Sequence, residues 1–183
     1  MLEPEIGPDY GGLNEWPLDN VVKVLCFCHP DDDPDMWARQ EQTIQRLFHA
    51  ARRNRLEFLL EVIPSKVAQV DDQTTAQIIQ RFYDLGVYPD WWKLEPMKTD
   101  AAWQAACDAI TRNDPYTRGI VVLGLAAAES ALRDSFQVAA RYPLVKGFAV
   151  GRTIFGAAAE AYMKDKITAG EAVDQMADNY ARL

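Results

Sequence analysis

Residues 21–28 read VVKVLCFC, and they are apolar on both faces apart from Lys23. Such a run is typical of a parallel strand that is buried on both sides. Four further apolar runs follow, and helical patterns separate them. The alternation predicts an α/β fold with one parallel sheet of five βα units. The other predicted strands cover residues 56–63, 90–94, 119–124 and 145–151.

Six helices complete the predicted pattern, over residues 34–53, 72–85, 100–112, 129–142, 153–164 and 168–182. Gly86 is a predicted C-terminal cap, and Thr168 with Glu171 forms a predicted capping box. Aspartates crowd the start of the first helix at residues 31–35. We interpret them as a solvated helix start rather than a cation site. Five units leave two architectures open, a doubly wound sheet or part of a (β/α)₈ barrel, which needs about 250 residues.

The composition of the chain narrows its class and its partners. At 183 residues, 49% apolar, it has room for one domain, with residues 1–20 as an irregular arm and 21–183 as the folded part. The net charge of −8 argues against nucleic acid as a partner. We expect no membrane span and no secretory signal. The three cysteines lack zinc spacing, so we expect reduced thiols, a cytoplasmic protein and no metal.

Neither the dinucleotide pattern GxGxxG nor the P-loop pattern GxxxxGK[ST] occurs in the chain. The informative residues are instead ionisable side chains inside the predicted strands: Lys23, Glu61 and Lys93, with Glu57 nearer a strand start and interpreted as structural. Neighbouring strands lie about 4.8 Å apart, so Lys23, Glu61 and Lys93 can form a row of side chains across three strands. A structural ion pair and a reactive site both remain possible interpretations of such a row.

The row has the composition of an imine-forming site. A lysine amine attacks a carbonyl only when it is neutral, and burial and a second cation both favour the neutral form. Lys93, between Trp92 and Leu94 and near Lys23, meets both conditions. Glu61 could deliver and remove the protons that imine formation requires. The sequence therefore favours a carbonyl enzyme that forms an imine on Lys93.

The ends of the last two strands suggest a second element, a phosphate site. Gly124 ends one strand, and Gly151 and Arg152 lead the other into its helix. Glycine amides and a helix N-terminus at these positions bind phosphate in many (β/α)₈ barrels. His29 and Glu95 are further candidates for contact with the substrate, although a loop-ordering contact is the favoured interpretation of His29.

Five segments together carry a family resemblance: residues 20–25, 59–62, 89–96 (PDWWKLEP), 119–124 and 146–155 (KGFAVGRTIF). The chain resembles the aldolase-like domain of bacterial myo-inositol catabolism, which is often fused to 5-dehydro-2-deoxygluconokinase. That domain is related to class I tagatose-bisphosphate aldolases. By this resemblance the five strands correspond to strands four to eight of a (β/α)₈ barrel, and the first three βα units have no counterpart. The sheet would then have two unpaired edges and an uncovered face.

The resemblance also implies roles and partners. Lys93 corresponds to the Schiff-base lysine, Glu61 to the acid/base carboxylate and Lys23 to a further active-site lysine. The implied reaction is cleavage of 6-phospho-5-dehydro-2-deoxygluconate to dihydroxyacetone phosphate and malonate semialdehyde, without a cofactor or metal. The alternative is a non-catalytic module that binds sugar phosphate or accompanies a sugar kinase. Expected partners are a phosphorylated sugar and either a second copy or a complementing barrel half.

Overall fold

Five parallel strands form one sheet in the computed structural model, which describes residues 5–124 and 129–182. The strand order follows the chain, β1-β2-β3-β4-β5, and every neighbouring pair is parallel. This order confirms the predicted α/β fold and favours a barrel segment over a doubly wound sheet, whose order reverses. The strands are β1 (Val21–Cys26), β2 (Glu57–Val62), β3 (Trp91–Leu94), β4 (Gly119–Leu123) and β5 (Val145–Ala149).

Helices follow the strands as the sequence predicts, with ends that shift by up to three residues. Some predicted strands extend beyond the observed ones. The last strand was predicted to end at residue 151, but β5 ends at Ala149 because the chain then turns into a helix that begins at Arg152. Two short 3-10 turns, Gly11–Glu15 and Pro64–Lys66, were not predicted. The helices are α1 (Pro34–Arg53), α2 (Thr74–Asp84), α3 (Asp100–Asn113), α4 (Glu129–Ala139), α5 (Arg152–Met163) and α6 (Ala169–Arg182).

The hydrophobic core lies between the sheet and one layer of helices. Strand side chains alternate between two faces, and the face toward the helices is buried. Trp92 on β3 is fully buried there, and its indole N–H donates to the Tyr83 hydroxyl at 2.9 Å. The core strand positions are Val22, Val24, Cys26, Phe58, Leu60, Val62, Trp92, Leu94, Ile120 and Val122.

The opposite face of the sheet is only partly covered. Val21 and Phe27 expose 38% and 48% of their surface, and β5 is exposed along most of its length. In a closed barrel this face is the packed interior. The segment of barrel therefore leaves side chains that would line the interior open to solvent.

Residues 5–20 contain no strand and one 3-10 turn. They are nevertheless attached to the core: Leu13 is 1% exposed, and the Tyr10 hydroxyl donates to the carbonyl of Thr43 at 3.4 Å. Among the described residues no helix is both long enough and apolar enough to cross a membrane. The three cysteines are free and buried, and burial raises the pKa of Cys107 to about 11.

Helices α1 and α2 end in the same way, with a different residue at the position that adopts the left-handed conformation. Gly86 after α2 has φ +77°, and Arg55 after α1 has φ +59°. In both cases the next amide bonds back to a carbonyl five residues earlier, at 3.0 Å. This arrangement confirms the predicted cap at Gly86. Arg55 adopts the left-handed conformation at a cost that glycine does not have.

We expect single substitutions at Arg55 and Gly86 to change the stability of the chain in opposite directions. Arg55→Gly should raise the free energy of unfolding by about 1 kcal/mol, and Gly86→Ala should lower it by about 1 kcal/mol. No atom lies within 4 Å of a β-carbon at Gly86, so alanine there tests backbone conformation alone. Urea unfolding measures both. Changes of the same sign would contradict the left-handed strain at Arg55.

Candidate active site

Three charged side chains meet on the open face of the sheet. Lys23 on β1, Glu61 on β2 and Lys93 on β3 lie on neighbouring strands, and Glu61 is paired in register with Lys93. The Lys23 Nζ lies 2.6 Å from Glu61 Oε2, and the Lys93 Nζ lies 3.2 Å from Glu61 Oε1. The structure thus brings together the row that the sequence placed on adjacent strands.

Alternation along β3 directs Lys93 to this face. Trp92 and Leu94 on either side of it are fully buried against the helices, so the lysine must point the other way. Its side chain is 18% exposed, compared with 46% for Lys23. Lys93 is therefore the more sheltered of the two amines and is reached from the cavity above the sheet.

Glu61 is the most buried member of the row, with a side chain 7% exposed. Its Oε2 has an ion-pair partner in Lys23, but no donor among the described residues meets it with hydrogen-bond geometry. A buried carboxylate oxygen ordinarily accepts hydrogen bonds from protein or water. Glu61 thus keeps acceptor capacity for a hydroxyl group that enters the site.

A cavity of about 340 Å³ opens above the row and includes all three residues. It lies at the carboxyl ends of the strands, where barrel enzymes hold their active sites. The described residues that line it include four cations and one carboxylate, Glu61; the cations are Lys23, Lys66, Lys93 and Arg152. In a chain with a net charge of −8, this local excess of positive charge favours an anionic ligand.

The predicted phosphate-binding residues line the same cavity. Gly151 is the N-cap of α5, and the first turn of that helix contains no acidic residue, so its positive dipole end is not neutralised locally. Arg152 begins the helix and is exposed toward the cavity. Gly124 is buried, and a β-carbon there would lie 3.1 Å from Val150 Cγ2. Glycine at this position therefore allows Val150, which also lines the cavity, to pack closely against the end of β4.

His29 and Glu95 lie outside this cavity. The His29 ring is buried, its Nε2 donates to the Gln69 carbonyl at 3.0 Å, and its Nδ1 accepts from the Asp31 amide at 3.2 Å. It orders the loop after β1. Glu95 accepts from the Ser65 amide at 3.0 Å and also bonds the Ser65 hydroxyl. Both side chains are used to hold loops, so the structure does not bring them to the Lys93 amine.

Lys66 lines the cavity, although the sequence analysis did not single it out. It ends the 3-10 turn Pro64–Lys66 after β2. A single exposed lysine beyond the end of a strand belongs to no sequence motif. Only its position five residues after Glu61 could have indicated that it lies near the site. Its ammonium and the Arg152 guanidinium make no ion pair with any residue in the described ranges 5–124 and 129–182.

Glu57 lies on the same face but at the other end of β2. Its carboxylate pairs with Arg118 at 2.6 Å and accepts from the Trp91 indole N–H at 2.8 Å. These contacts agree with the structural interpretation of Glu57. Glu57 and Glu61 are therefore two strand carboxylates with different surroundings, and only Glu61 reaches the cavity.

Within the described part of the chain, no three His, Cys, Asp or Glu side chains are arranged to hold a metal ion. Among the aspartates before α1, Asp33 is the N-cap and accepts from the Met36 amide at 2.9 Å. Asp31 is 87% exposed at its side chain. This segment is a capped helix start.

Comparisons with known proteins agree with a barrel-type fold. A family model described as "Uncharacterized protein conserved in bacteria (DUF2090)" matches residues 1–183. Fructose-bisphosphate aldolase from Plasmodium falciparum is similar in structure, with 12% identity, a TM-score of 0.61, and coverage of 88% of this chain and 54% of that one. A structural-genomics protein from Corynebacterium glutamicum is 21% identical, with a TM-score of 0.55 and coverage of 87% and 50%.

These similarities concern the fold, which is aldolase-like. The chain spans about half the length of the two solved structures. A search of curated proteins found no match.

Proposed function

For this chain, which belongs to the DUF2090 family, we propose a class I aldolase-type lyase activity on a phosphorylated ketone, with Lys93 as the imine-forming residue. One observation carries the proposal. A sheltered lysine lies 3.2 Å from a buried carboxylate oxygen at the floor of a cationic cavity. This is the arrangement of nucleophile and acid/base that imine chemistry requires.

The proposed reaction begins with transfer of a proton from the Lys93 ammonium to the Glu61 carboxylate, and the neutral amine then attacks the substrate ketone. Glu61 protonates the carbinolamine hydroxyl, water leaves, and a protonated imine remains. The Glu61 carboxylate, now deprotonated, removes the proton of the β-hydroxyl group. The carbon–carbon bond breaks, and its electron pair moves into the imine to form an enamine. The aldehyde fragment leaves. Protonation of the enamine carbon and hydrolysis of the imine release the ketone product and restore the lysine.

The remaining residues have supporting roles in this proposal. Lys23 binds Glu61 Oε2 and leaves Oε1 directed at Lys93. Gly151 and Arg152 bind the substrate phosphate through the α5 N-terminus and a charge-assisted contact, and Gly124, at the end of β4, lies beside them in the same cavity. By resemblance, the substrate is 6-phospho-5-dehydro-2-deoxygluconate, in myo-inositol catabolism. The nearby cations would also suit its carboxylate.

Reductive trapping tests the imine. Incubation with dihydroxyacetone phosphate and borohydride should add one reduced adduct at Lys93. Trypsin normally cuts after Lys93, and it should not cut after the modified residue. The peptides 82–93 and 94–98 should therefore be replaced by a single peptide, 82–98, that carries the adduct. Glycerol 3-phosphate, which has no carbonyl group, should leave the digest unchanged. Labelling spread over surface lysines would contradict the proposal.

A second candidate is a non-catalytic module that binds sugar phosphate or accompanies a sugar kinase. The exposed inner face of the sheet favours it, because a closed barrel would normally enclose the reacting atoms. Phosphate binding without adduct formation at Lys93 would favour this candidate. In either case we propose that a second copy or a complementing half-barrel covers the open face.

A further inference from the structure

Two cations that form no ion pair within the described part of the chain flank Lys93 on opposite sides along the sheet. Lys66 follows β2, Lys93 lies on β3, and Arg152 follows β5, and all three line the same cavity. Three strand spacings of about 4.8 Å separate β2 from β5, or roughly 14 Å of sheet. Neither Lys66 nor Arg152 pairs with a carboxylate among the described residues. Apart from the ion-paired Lys23, the cavity therefore offers one positive charge on each side of the reactive amine.

The position of Lys66 is built into the fold by Glu95. The Glu95 carboxylate accepts from the backbone amide and the hydroxyl of Ser65, the residue before Lys66. This double contact joins the loop after β3 to the 3-10 turn after β2. Within the turn, the amides of Val67 and Ala68 donate to the Pro64 carbonyl at 2.9 and 3.2 Å. The contact with Glu95 restrains the same turn from the neighbouring loop, and together these bonds fix the direction in which Lys66 leaves the strand.

We infer that Lys66 binds a second anionic group of the substrate, on the β2 side of Lys93, and that Glu95 is a positioning residue for it. The inference rests on the proposed function for the placement of the ketone at Lys93. The substrate class is then a ketone with an anionic group on each side of the carbonyl. A phosphate meets Arg152 and the α5 N-terminus, and the second anion meets Lys66.

Two probe ligands distinguish binding of the second anionic group from binding of the phosphate. Glucitol 6-phosphate has only a phosphate, whereas 6-phosphogluconate, of the same six-carbon length, also has a carboxylate at the opposite end, and neither forms an imine with Lys93. The wild-type chain should bind 6-phosphogluconate about tenfold more tightly, the effect of one charge-assisted contact. Lys66→Met should remove this advantage and leave the affinity for glucitol 6-phosphate unchanged. Titration calorimetry measures both.

Lys98 provides the matched control. It is an exposed lysine close to the same loops, but it lines a neighbouring cavity that Glu95 and Ser65 share. Lys98→Met removes the same charge and should keep the tenfold preference. Equal losses in the Lys66 and Lys98 variants, or equal weakening of both probes by Lys66→Met, would overturn the assignment.

Glu95 is tested by a graded pair of variants. Glu95→Ala frees Ser65 and should reduce the preference for 6-phosphogluconate about threefold or more, without changing the affinity for glucitol 6-phosphate. Glu95→Gln keeps an acceptor for the Ser65 amide and a donor for its hydroxyl, so it should largely restore the preference. A purely structural role would weaken both probes together, and that result would overturn the positioning role.

Failure of this inference and failure of the proposed function have different signatures. Loss of the probe preference in Lys66→Met, without borohydride trapping at Lys93, supports the anion site and contradicts the lyase. Trapping at Lys93 in a chain that does not distinguish the two probes contradicts the role of Lys66 and leaves the lyase proposal intact.

Discussion

Replacing Lys93 by arginine should abolish cleavage of the proposed substrate, with a loss in kcat of about 10⁴-fold or more. Arginine keeps the positive charge beside Glu61, but a guanidinium stays protonated and cannot form an imine. Release of dihydroxyacetone phosphate, followed with a coupled reductase and NADH, measures the rate. The same variant should give no borohydride adduct on residues 82–98.

Lys146→Arg is the control for this exchange. Lys146 lies on β5 of the same sheet, is exposed, and donates to the Pro143 carbonyl at 2.7 Å rather than lining the Lys93 cavity. It should keep the wild-type rate. Because Lys93→Arg preserves the ion pair with Glu61, its free energy of unfolding should stay within about 1 kcal/mol of wild type. Residual turnover above 1% in a folded Lys93→Arg chain would eliminate imine chemistry at this residue.

The sequence predicts the Lys23–Glu61–Lys93 row because two simple regularities determine it. Consecutive strands of a βα repeat lie side by side, and alternate residues point to one face. Lys23, Glu61 and Lys93 lie within strands, so both rules apply to them directly. The glycine and arginine positions after β4 and β5 follow from the same geometry, since parallel strands end at one edge of the sheet.

Loop residues do not obey these rules, which explains why Lys66 was not predicted, why Glu95 turns away from the cavity, and why two roles remained open for His29. Glu95 is one residue past the end of β3 and has the same alternation as Lys93, yet the loop turns it toward Ser65. His29 follows β1 by three residues, and contacts with Gln69 and Asp31 determine its orientation. Lys66 reaches the cavity through an irregular turn. Tertiary contacts determine all three positions, and a single sequence does not reveal them.

The open face of the sheet also explains why two lysines can lie beside a single carboxylate, Glu61, in this row. In a closed barrel, interior charges are shielded by protein on every side, whereas here Lys23 keeps nearly half of its side-chain surface in solvent. Such exposure reduces the desolvation cost of two lysines beside one carboxylate. Covering the face with a partner would strengthen every electrostatic interaction in the cavity, since the local dielectric would fall. The proposed chemistry therefore benefits from the same partner that would protect the sheet edges.

Replacement of Glu61 is expected to reduce both the stability of the chain and its catalytic rate. Glu61→Leu should lower the free energy of unfolding by about 3 kcal/mol, because it leaves the sheltered Lys93 ammonium without its carboxylate. It should also lower kcat by about 10³-fold, the contribution of a positioned acid/base. Urea unfolding at pH 7 and the coupled assay measure the two effects.

Two further variants test the cause of these losses. Adding Lys93→Leu to Glu61→Leu removes the unpaired charge and should recover most of the lost stability, because replacing both buried partners by apolar side chains is often neutral. Glu57→Leu is the matched single exchange: Glu57 lies on the same strand and face, pairs with Arg118, and is 31% exposed. It should cost about 1 kcal/mol and leave kcat unchanged. If Glu57→Leu and Glu61→Leu reduced kcat equally, Glu61 would be a scaffold residue rather than the acid/base.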